Sequence, residues 1–283
     1  MKILVLGAGG MAGHTIAIYL KENGYDITGF ARRELPFCKT IVGDITTVNI
    51  ANLVKDYDVV INCIGCLVKS VDNDIKNGIY INSYLPHLLS ASAKRVIHLS
   101  TDCVFSGKDT PKKGYTENDF RSADYAYGRT KALGELNNNK DLTFRMSIVG
   151  PDINENGTGL FHWFMKQQGE VSGYSKAIWG GVTTIILANA IHAALEQRIT
   201  GLYHLTNGEK ISKFELLKLF NNLRKEPVSI LPSENVIEDK SICCTRTDFN
   251  FVVPSYESMV GGMGEWIQTH GSLYFRYKIG GFI

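Results

Sequence analysis

Three side chains in the middle of the chain have the chemical types and the spacing of an acid–base site for a carbonyl group. Tyr127 and Lys131 lie four residues apart, so they share one face if the segment is helical. An ammonium beside a phenol favours the phenolate, which predicts a lowered pKa for Tyr127 and proton exchange near neutral pH. Thr101 follows the apolar run 95–100 and can hydrogen-bond the same carbonyl oxygen. The set predicts a site that protonates a carbonyl oxygen while a hydride reaches its carbon.

The Tyr-x-x-x-Lys spacing is not sufficient by itself, because a chain with 13 tyrosines contains about one such pair by chance. A second pair, Tyr274 and Lys278, occurs near the end of the chain, and Tyr125 is a third candidate phenol. Of the two pairs, only that of Tyr127 follows a glycine-rich turn, an apolar run and a threonine in the expected order. We therefore assign the proton-donor role to Tyr127.

A glycine-rich segment lies between the first apolar run, 2–6, and the first amphipathic pattern, 11–23. Glycine here permits a tight turn, a close approach of the backbone to a diphosphate, and close helix–strand packing. The amide N–H groups of the helix N-terminus can then bind the anion. We expect a dinucleotide site at this turn. The residues assigned to it are Gly7, Gly9, Gly10, Met11 and Gly13.

The ends of the next three apolar runs are expected to complete the cofactor site. The second run ends in Arg32 and Arg33, at the place where an acidic residue would hold a free ribose 2′-hydroxyl. An arginine pairs instead with a 2′-phosphate, which predicts NADPH, with NADH as the alternative. The remaining predicted contacts follow the third and fourth runs, near the adenine and the middle of the cofactor: Asp44, Ile45, Cys63, Ile64 and Gly65.

Strand and helix patterns alternate through the first half of the chain. Continuous apolar runs, typical of strands with both faces covered, occur at 2–6, 26–31, 40–45, 58–64, 95–100 and 142–149. Helical patterns lie between them, at 11–23, 46–57, 74–93 and 124–139. The alternation predicts an α/β fold with a Rossmann-type doubly wound parallel sheet over residues 1–150. Residues 151–283 are expected to form a smaller C-terminal α/β substrate lobe, with a strand near 202–206 returning to the main sheet.

Composition and charge are those of a globular protein without a nucleic-acid or membrane partner. Hydrophobic residues make up 44% and charged residues 20%, and the formal net charge of +2 provides no strong field. The most apolar window, 178–195, contains Asn189 and His192, so it predicts a buried helix and not a membrane span. The first residues lack a signal-peptide pattern, which predicts a cytoplasmic protein. The six cysteines are expected to be free thiols, and no His or Cys spacing predicts a metal site.

The motifs around these residues resemble those of the extended short-chain dehydrogenases/reductases, and among them the dTDP-4-dehydrorhamnose reductases and related nucleotide-sugar 4-ketoreductases. The shared motifs are Gly-x-x-Gly-x-x-Gly from residue 7, Ser-Thr-Asp at 100–102, Tyr-Gly-Arg-Thr-Lys at 127–131, and Trp-Gly-Gly-Val-Thr-Thr at 179–184. The resemblance implies that Thr101, Tyr127 and Lys131 form the catalytic triad. It also implies that Asn82 supports the active-site helix, and that Asn82, Tyr127 and Lys131 contact the cofactor.

The same resemblance implies NADPH-dependent reduction of a nucleotide-linked 4-keto-6-deoxy sugar for surface polysaccharide synthesis. Cys103 stands where the related dehydratases carry an acid, so a dehydratase is not expected. The alternatives left open are a UDP-2-acetamido-4-keto-6-deoxyhexose reductase, a 4-epimerase and a non-catalytic regulatory subunit. Related enzymes often form dimers, so a homodimer is one state that the resemblance suggests. The residues expected to bind the substrate are Asp102, Val104, Phe105, Arg145, Trp179, Thr183 and Arg246.

Overall fold

The computed structural model describes residues 1–280. Its strands are β1 (Lys2–Leu6), β2 (Asp26–Ala31), β3 (Lys39–Val42), β4 (Val59–Asn62), β5 (Val96–Leu99), β6 (Leu142–Arg145), β7 (Ile148–Val149), β8 (Glu170–Tyr174), β9 (Ala177–Trp179), β10 (Val182–Thr183), β11 (Gly201–His204), β12 (Ile211–Ser212), β13 (Ser229–Ser233) and β14 (Glu238–Asp239). Its helices are α1 (Met11–Glu22), α2 (Ile50–Val54), α3 (Val68–Asn73), α4 (Ile75–Ile79), α5 (Leu85–Ser92), α6 (Ala126–Leu133), α7 (Leu160–Met165), α8 (Thr184–Gln197), α9 (Lys213–Leu223) and α10 (Tyr256–Thr269).

Seven strands form one parallel sheet in the order β3-β2-β1-β4-β5-β6-β11. The strand order reverses between β1 and β4, and such a reversal leaves a crevice at the carboxyl ends of the strands where ligands bind. The predicted Rossmann-type doubly wound sheet is confirmed. The strand near 202–206 joins this sheet, because β11 pairs with β6 from Gly201 opposite Leu142.

The central strands are buried on both faces, as their continuous apolar runs predict. Along β1, Ile3 and Val5 pack into one hydrophobic core, whereas Leu4 and Leu6 pack into the core on the other face. Successive side chains of a strand point to opposite faces, so each apolar residue of β1 contributes to one of two helical layers. Because both faces are buried, the sheet is held between two helical layers. This packing determines where the carboxyl ends of the strands lie.

Three small sheets lie beside the main one. β7 pairs with β10, β8 pairs with β13, and β9 lies between β12 and β14. The predicted single strand over 142–149 is wrong, because the chain leaves the main sheet after Arg145 and β7 joins a different sheet. A hydrogen bond also joins the first half of the chain to the second. The Thr15 hydroxyl in α1 donates it to the Thr184 hydroxyl at the start of α8, 3.3 Å away.

Two predicted helices are shorter or more broken than their patterns indicate. The segment 46–57 contains only α2, because the Asp44 carboxylate binds Thr46 in a turn and Asn49 caps the helix at Asn52. The segment 74–93 contains α4, a π-helical turn at Tyr80–Tyr84, and α5. Asp74 starts α4 by accepting a hydrogen bond from the Asn77 amide at 3.1 Å. Polar capping side chains thus override the helical periodicity at these points.

Candidate active site

The glycine turn after β1 has the geometry of a cradle for a diphosphate. Gly7 has a φ of +74°, which favours glycine, and its amide donates to the Phe30 carbonyl at 3.0 Å. A Cβ on Gly13 would lie 2.2 Å from the Gly7 carbonyl oxygen, so only glycine lets α1 approach the turn. Gly10 caps α1 without a side-chain hydrogen bond, and the first turn of α1 carries no acidic residue. The turn of Gly7 to Gly13, with Gly9 and Met11, therefore presents amide groups that fit an anion.

The other predicted cofactor residues lie at the carboxyl ends of the neighbouring strands. Arg32 and Arg33 are exposed after β2, and Arg33 donates a hydrogen bond to Asn154 Oδ1 at 2.8 Å. After β3, the exposed Asp44 binds the Thr46 amide and hydroxyl, which holds the pKa of that carboxyl below its usual value. Ile45 beside it is buried. After β4, Cys63 and Ile64 contact the glycine turn, and Gly65 is exposed.

Thr101 occupies the carboxyl end of β5 at the start of a 3₁₀ turn, Asp102–Val104. Its hydroxyl accepts a hydrogen bond from the Cys103 amide at 3.1 Å and donates one to Asp102 at 3.1 Å. Helix α6 lies directly against this turn, because a Cβ on Gly128 would be 2.3 Å from the Cys103 carbonyl oxygen. The glycine after Tyr127 thus permits the close approach that brings the phenol beside Thr101.

The phenol of Tyr127 is held protonated. Burial raises its pKa, and the nearby Cys103 and Asp102 add to the rise, whereas the Thr101 hydroxyl opposes it. The predicted lowering of the Tyr127 pKa by Lys131 is wrong, because burial of the phenol outweighs every other influence on this pKa. A phenol that keeps its proton at neutral pH is a proton donor, as the reduction of a carbonyl requires.

Lys131 is 5% exposed and points into the sheet. Its amine donates to the Leu99 carbonyl at 2.7 Å and lies 3.5 Å from His98 Nε2. Burial lowers the pKa of Lys131 to about 8, and the charges of Glu135 and Cys66 partly offset this. The ammonium is therefore a stronger acid than the Tyr127 phenol on the same face of α6.

Asn82 supports the active-site helix through an unusual backbone. It lies in the π-helical turn Tyr80–Tyr84, and its side chain both donates to the Cys66 carbonyl and accepts from the Cys66 amide. It also donates to the hydroxyl of Thr130 in α6 at 3.2 Å. The contact is thus with the neighbour of Lys131 and not with the lysine itself. π-Helical turns often occur at functional sites, where they redirect one side chain.

A cavity of about 630 Å³ opens beside these residues in the second half of the chain. Ser147 lines it and donates to the Asp102 carboxylate at 2.8 Å, which connects the cavity to the residue after Thr101. Trp179 forms part of the wall. The rest of the wall was not among the residues predicted to bind the substrate: Ile148, Val149, Leu160, Trp163, Gln167, Glu170, Val171, Ser172, Tyr174, Lys213 and Leu217.

Thr183 lies close to this cavity, since β10 pairs with β7 and Thr183 stands opposite the cavity-lining Val149. The Thr183 hydroxyl is buried and has no hydrogen-bond partner among the residues that the structure describes. A buried hydroxyl without a partner is costly, so it is a candidate contact for a bound ligand.

A sequence model of a known protein family matches most of the chain. The sequence model of the family described as RmlD substrate binding domain matches residues 1–238. The chain belongs to this family. Its relatives by sequence include a polysaccharide biosynthesis protein and a sugar-nucleotide reductase. The spore coat polysaccharide biosynthesis protein SpsK of Bacillus subtilis is 26% identical over 223 residues, which are 76% of each chain. The dTDP-4-keto-6-deoxy-D-glucose reductase of Streptomyces niveus is 25% identical over 247 residues, 81% of each chain.

A solved structure of an RmlD-related enzyme has the same fold. The dTDP-4-dehydrorhamnose reductase of Bacillus anthracis, crystallised in complex with NADP, matches with a TM-score of 0.77 at 23% identity. The match covers 95% of this chain and 99% of that one. The relative from Streptomyces niveus is by its name a reductase of a sugar nucleotide, and this RmlD-family chain is an oxidoreductase. Within the described part of the chain, every helix is too short or too polar to span a lipid bilayer.

Four of the residues predicted to bind the substrate face elsewhere in this RmlD-family protein. Val104 and Phe105 are fully buried in an apolar cluster, where Phe105 stacks on Tyr115 at 4.1 Å. Arg145 is 1% exposed and binds Glu135 through two hydrogen bonds of 2.7 and 2.6 Å. Arg246 binds the Thr200 and Leu202 carbonyls at the edge strand β11. The protein itself packs Val104 and Phe105 and binds the guanidinium groups of Arg145 and Arg246, and the contact of these four residues with a substrate stays a prediction.

Tyr274 and Tyr125, the two alternative phenols, contact other parts of the protein. Tyr274 is buried near α1, where its hydroxyl lies 2.6 Å from His14 Nε2 and accepts from Trp266 at 3.0 Å. Tyr125 lies beside the active site but contacts Lys240, whose amine is 3.5 Å from the Tyr125 hydroxyl. Of the three phenols, Tyr127 has the position beside Thr101 that the assignment requires.

Proposed function

We propose that the protein is an NADPH-dependent reductase of a nucleotide-linked 4-keto-6-deoxy sugar. The main support is the protonated phenol of Tyr127, which stands beside the Thr101 hydroxyl near a cavity of about 630 Å³. The names of the relatives from Streptomyces niveus and Bacillus anthracis point to the same substrate class. The cavity offers the aromatic walls of Trp163 and Trp179 for a base and Lys213 for a phosphate charge.

The proposed reaction uses each catalytic side chain for one task. A reduced nicotinamide supplies the hydride when it is bound. The Thr101 hydroxyl orients the sugar carbonyl, and the Tyr127 phenol gives its proton to the oxygen that becomes the product hydroxyl. Lys131, on the same helix, holds the cofactor. Asn82 keeps α6 in place through Thr130.

The first test follows NADPH oxidation with a panel of dTDP-, UDP- and GDP-linked 4-keto-6-deoxy sugars, including a UDP-2-acetamido sugar. We expect turnover with one nucleotide class, detected as loss of absorbance at the reduced nicotinamide band. Product that forms from a 4-hydroxy sugar without net NADPH oxidation indicates a 4-epimerase instead. Tight cofactor binding with no reaction on any sugar contradicts the proposal and favours a regulatory subunit.

The preference for NADPH is expected to depend on Arg32 and Arg33. Replacing both with serine removes charge-assisted hydrogen bonds to the 2′-phosphate, so the KM for NADPH should rise by about tenfold to a hundredfold. The KM for NADH should change little, because NADH lacks that phosphate. Initial rates with each cofactor at a fixed sugar concentration measure both values.

A matched control is Lys39→Ser, which removes an exposed cation at the opposite end of the neighbouring strand β3. This variant should retain the wild-type ratio of the two KM values. An equal rise of KM for both cofactors in the double arginine variant would show that the arginines do not select the phosphate.

A further inference from the structure

The loop between β7 and α7, residues 151–159, lies against the glycine turn that is expected to hold the cofactor diphosphate. The Asn154 side chain donates a hydrogen bond from Nδ2 to the Gly9 carbonyl at 2.8 Å. Farther along the loop, a Cβ on Gly159 would lie 2.8 Å from Met11 Sδ, so the backbone there packs directly on the first residue of α1. No residue of this loop was predicted to bind the cofactor or the substrate, and the proposed reaction does not use it.

The hydrogen bonds of Asn154 determine which way its amide faces. Its Nδ2 has two hydrogens, and it donates to the Gly9 carbonyl and to the Asp152 carboxylate, both at 2.8 Å. Its Oδ1 therefore faces the other way, where it accepts from Arg33 Nη2 at 2.8 Å. Turning the amide over would place its oxygen against two acceptors and its NH2 group against the guanidinium. Asn154 thus joins an arginine after β2 to the glycine turn after β1.

The base of the 151–159 loop is fixed by a segment near the far end of the chain. The Asp152 amide donates to the Tyr277 hydroxyl at 2.8 Å, and the Asp152 carboxylate accepts the backbone amide of Asn154 at 2.8 Å. Asp152 and Tyr277 are each 8% exposed, so these bonds are shielded from water. The Arg276 guanidinium also donates to the Ile153 carbonyl. A residue held in this way by buried neighbours can keep an exposed side chain in one position.

Arg33 is an exposed side chain that keeps its capacity to bind an anion. The bond to Asn154 uses one of the five guanidinium N–H donors. Because Asn154 is neutral, the bond leaves the positive charge and the other donors for a phosphate. Arg32, in contrast, lies near the Asp44 carboxylate, whose pKa is lowered by hydrogen bonds from Thr46 and further by the charge of Arg32. Arg33 is therefore the arginine held toward the glycine turn, and Arg32 is the one nearer a competing carboxylate.

We propose that Asn154 is a positioning residue that holds the Arg33 guanidinium beside the glycine turn for the 2′-phosphate on the adenosine ribose of NADPH. The inference rests on the proposed function, since it names the residue pair through which the predicted cofactor preference arises. The diphosphate of the cofactor is expected on the glycine turn. Asn154 fixes Arg33 relative to this turn, so the long side chain loses less conformational freedom when it binds the second anionic group. A free ribose 2′-hydroxyl carries no charge, so the same tether gives NADH no advantage.

Calorimetric titration of the full chain with NADP⁺ and with NAD⁺ tests this tether without sugar or turnover. In Asn154→Ala the Kd for NADP⁺ should rise about five- to tenfold, the effect of losing a hydrogen bond to a charged group. The Kd for NAD⁺ should stay within about twofold of the wild-type value, since NAD⁺ has no phosphate for Arg33 to bind. The matched control is Asn156→Ala, which alters an exposed asparagine of the same loop and should leave both Kd values unchanged.

A double-mutant cycle with Arg33→Ser separates the tether from a general disturbance of the glycine turn. In the Arg33→Ser background, Asn154→Ala should not change the ratio of the two Kd values any further, because the side chain that it positions is gone. In the Arg32→Ser background, Asn154→Ala should still weaken NADP⁺ binding relative to NAD⁺ binding. The cycle therefore assigns the effect of Asn154 to one of the two arginines.

Each outcome of these titrations decides the inference. An equal rise of both Kd values in Asn154→Ala overturns it, because Asn154 would then support the turn alone. An undiminished effect of Asn154→Ala in the Arg33→Ser background overturns it as well. Equal affinity of the wild type for the two dinucleotides, together with reduction of a sugar, overturns the tether and leaves the reductase intact. A selective and coupled effect on NADP⁺ binding, without reduction of any sugar in the panel, supports the tether and counts against the proposed reaction alone.

Discussion

Replacing Tyr127 with phenylalanine is expected to lower kcat by about 10²- to 10⁴-fold, the contribution typical of a positioned acid. The buried phenol beside Thr101 is the proposed proton donor, and phenylalanine keeps the ring while removing the transferable proton. Folding should persist, because no hydrogen bond of the helix backbone depends on the hydroxyl, and the affinity for NADPH should fall by less than kcat, because the phenol is only one of the predicted cofactor contacts. Steady-state kinetics with the substrate found in the panel, together with fluorescence titration of NADPH, measure the two effects separately.

Tyr125→Phe is the matched control for this prediction. Its phenol is also partly buried and lies two residues away, with the two rings 6.3 Å apart, but it contacts Lys240 and not Thr101. This variant should retain most of the wild-type kcat. If Tyr127→Phe turned over at a near-normal rate while Tyr125→Phe did not, Tyr125 would be the proton donor and the assignment from spacing would be wrong.

The parts of the fold that the sequence predicted are those in which burial and periodicity agree. The strands of the main sheet follow continuous apolar runs because both faces of each strand are covered. The glycine turn was readable because Gly7 needs a positive φ and Gly13 cannot carry a Cβ. Helix α6 and the positions of Thr101 and Tyr127 followed from the order of these elements. The short strands of the second half were missed, since strands of two to five residues are too short to show a clear period.

The sequence did not predict the electrostatics of the site, because these depend on distances and burial in three dimensions. Spacing indicated that Lys131 would lower the pKa of Tyr127, but the lysine turns toward Leu99 and His98, and burial of the phenol dominates. Likewise, Arg145 is among the residues predicted to bind the substrate. Its partner Glu135 lies ten residues earlier, across a loop that brings the two side chains together inside the protein.

Replacing Arg145 with methionine is expected to lower the free energy of unfolding by about 3–5 kcal/mol, the typical cost of removing one partner from a buried ion pair. The guanidinium binds both oxygens of Glu135, contacts His204 Nε2 at 2.7 Å and lies over the ring of Phe105. Without it, the buried carboxylate keeps only Ser100 at 2.6 Å and Arg121 at 3.3 Å. Urea denaturation followed by circular dichroism measures the loss as a lower midpoint with an unchanged slope.

Arg121→Met is the control, because Arg121 contacts the same carboxylate from the surface. The side chain of Arg121 is 46% exposed, so water screens its ion pair with Glu135. Losing this ion pair should lower the free energy of unfolding by no more than about 1 kcal/mol. The variant also loses the hydrogen bond from Arg121 to the Ala132 carbonyl, which adds to this cost. The double variant Glu135→Met with Arg145→Met removes both buried charges and should recover part of the stability lost in Arg145→Met. Equal destabilisation by Arg121→Met and Arg145→Met would mean that burial does not distinguish the two contacts.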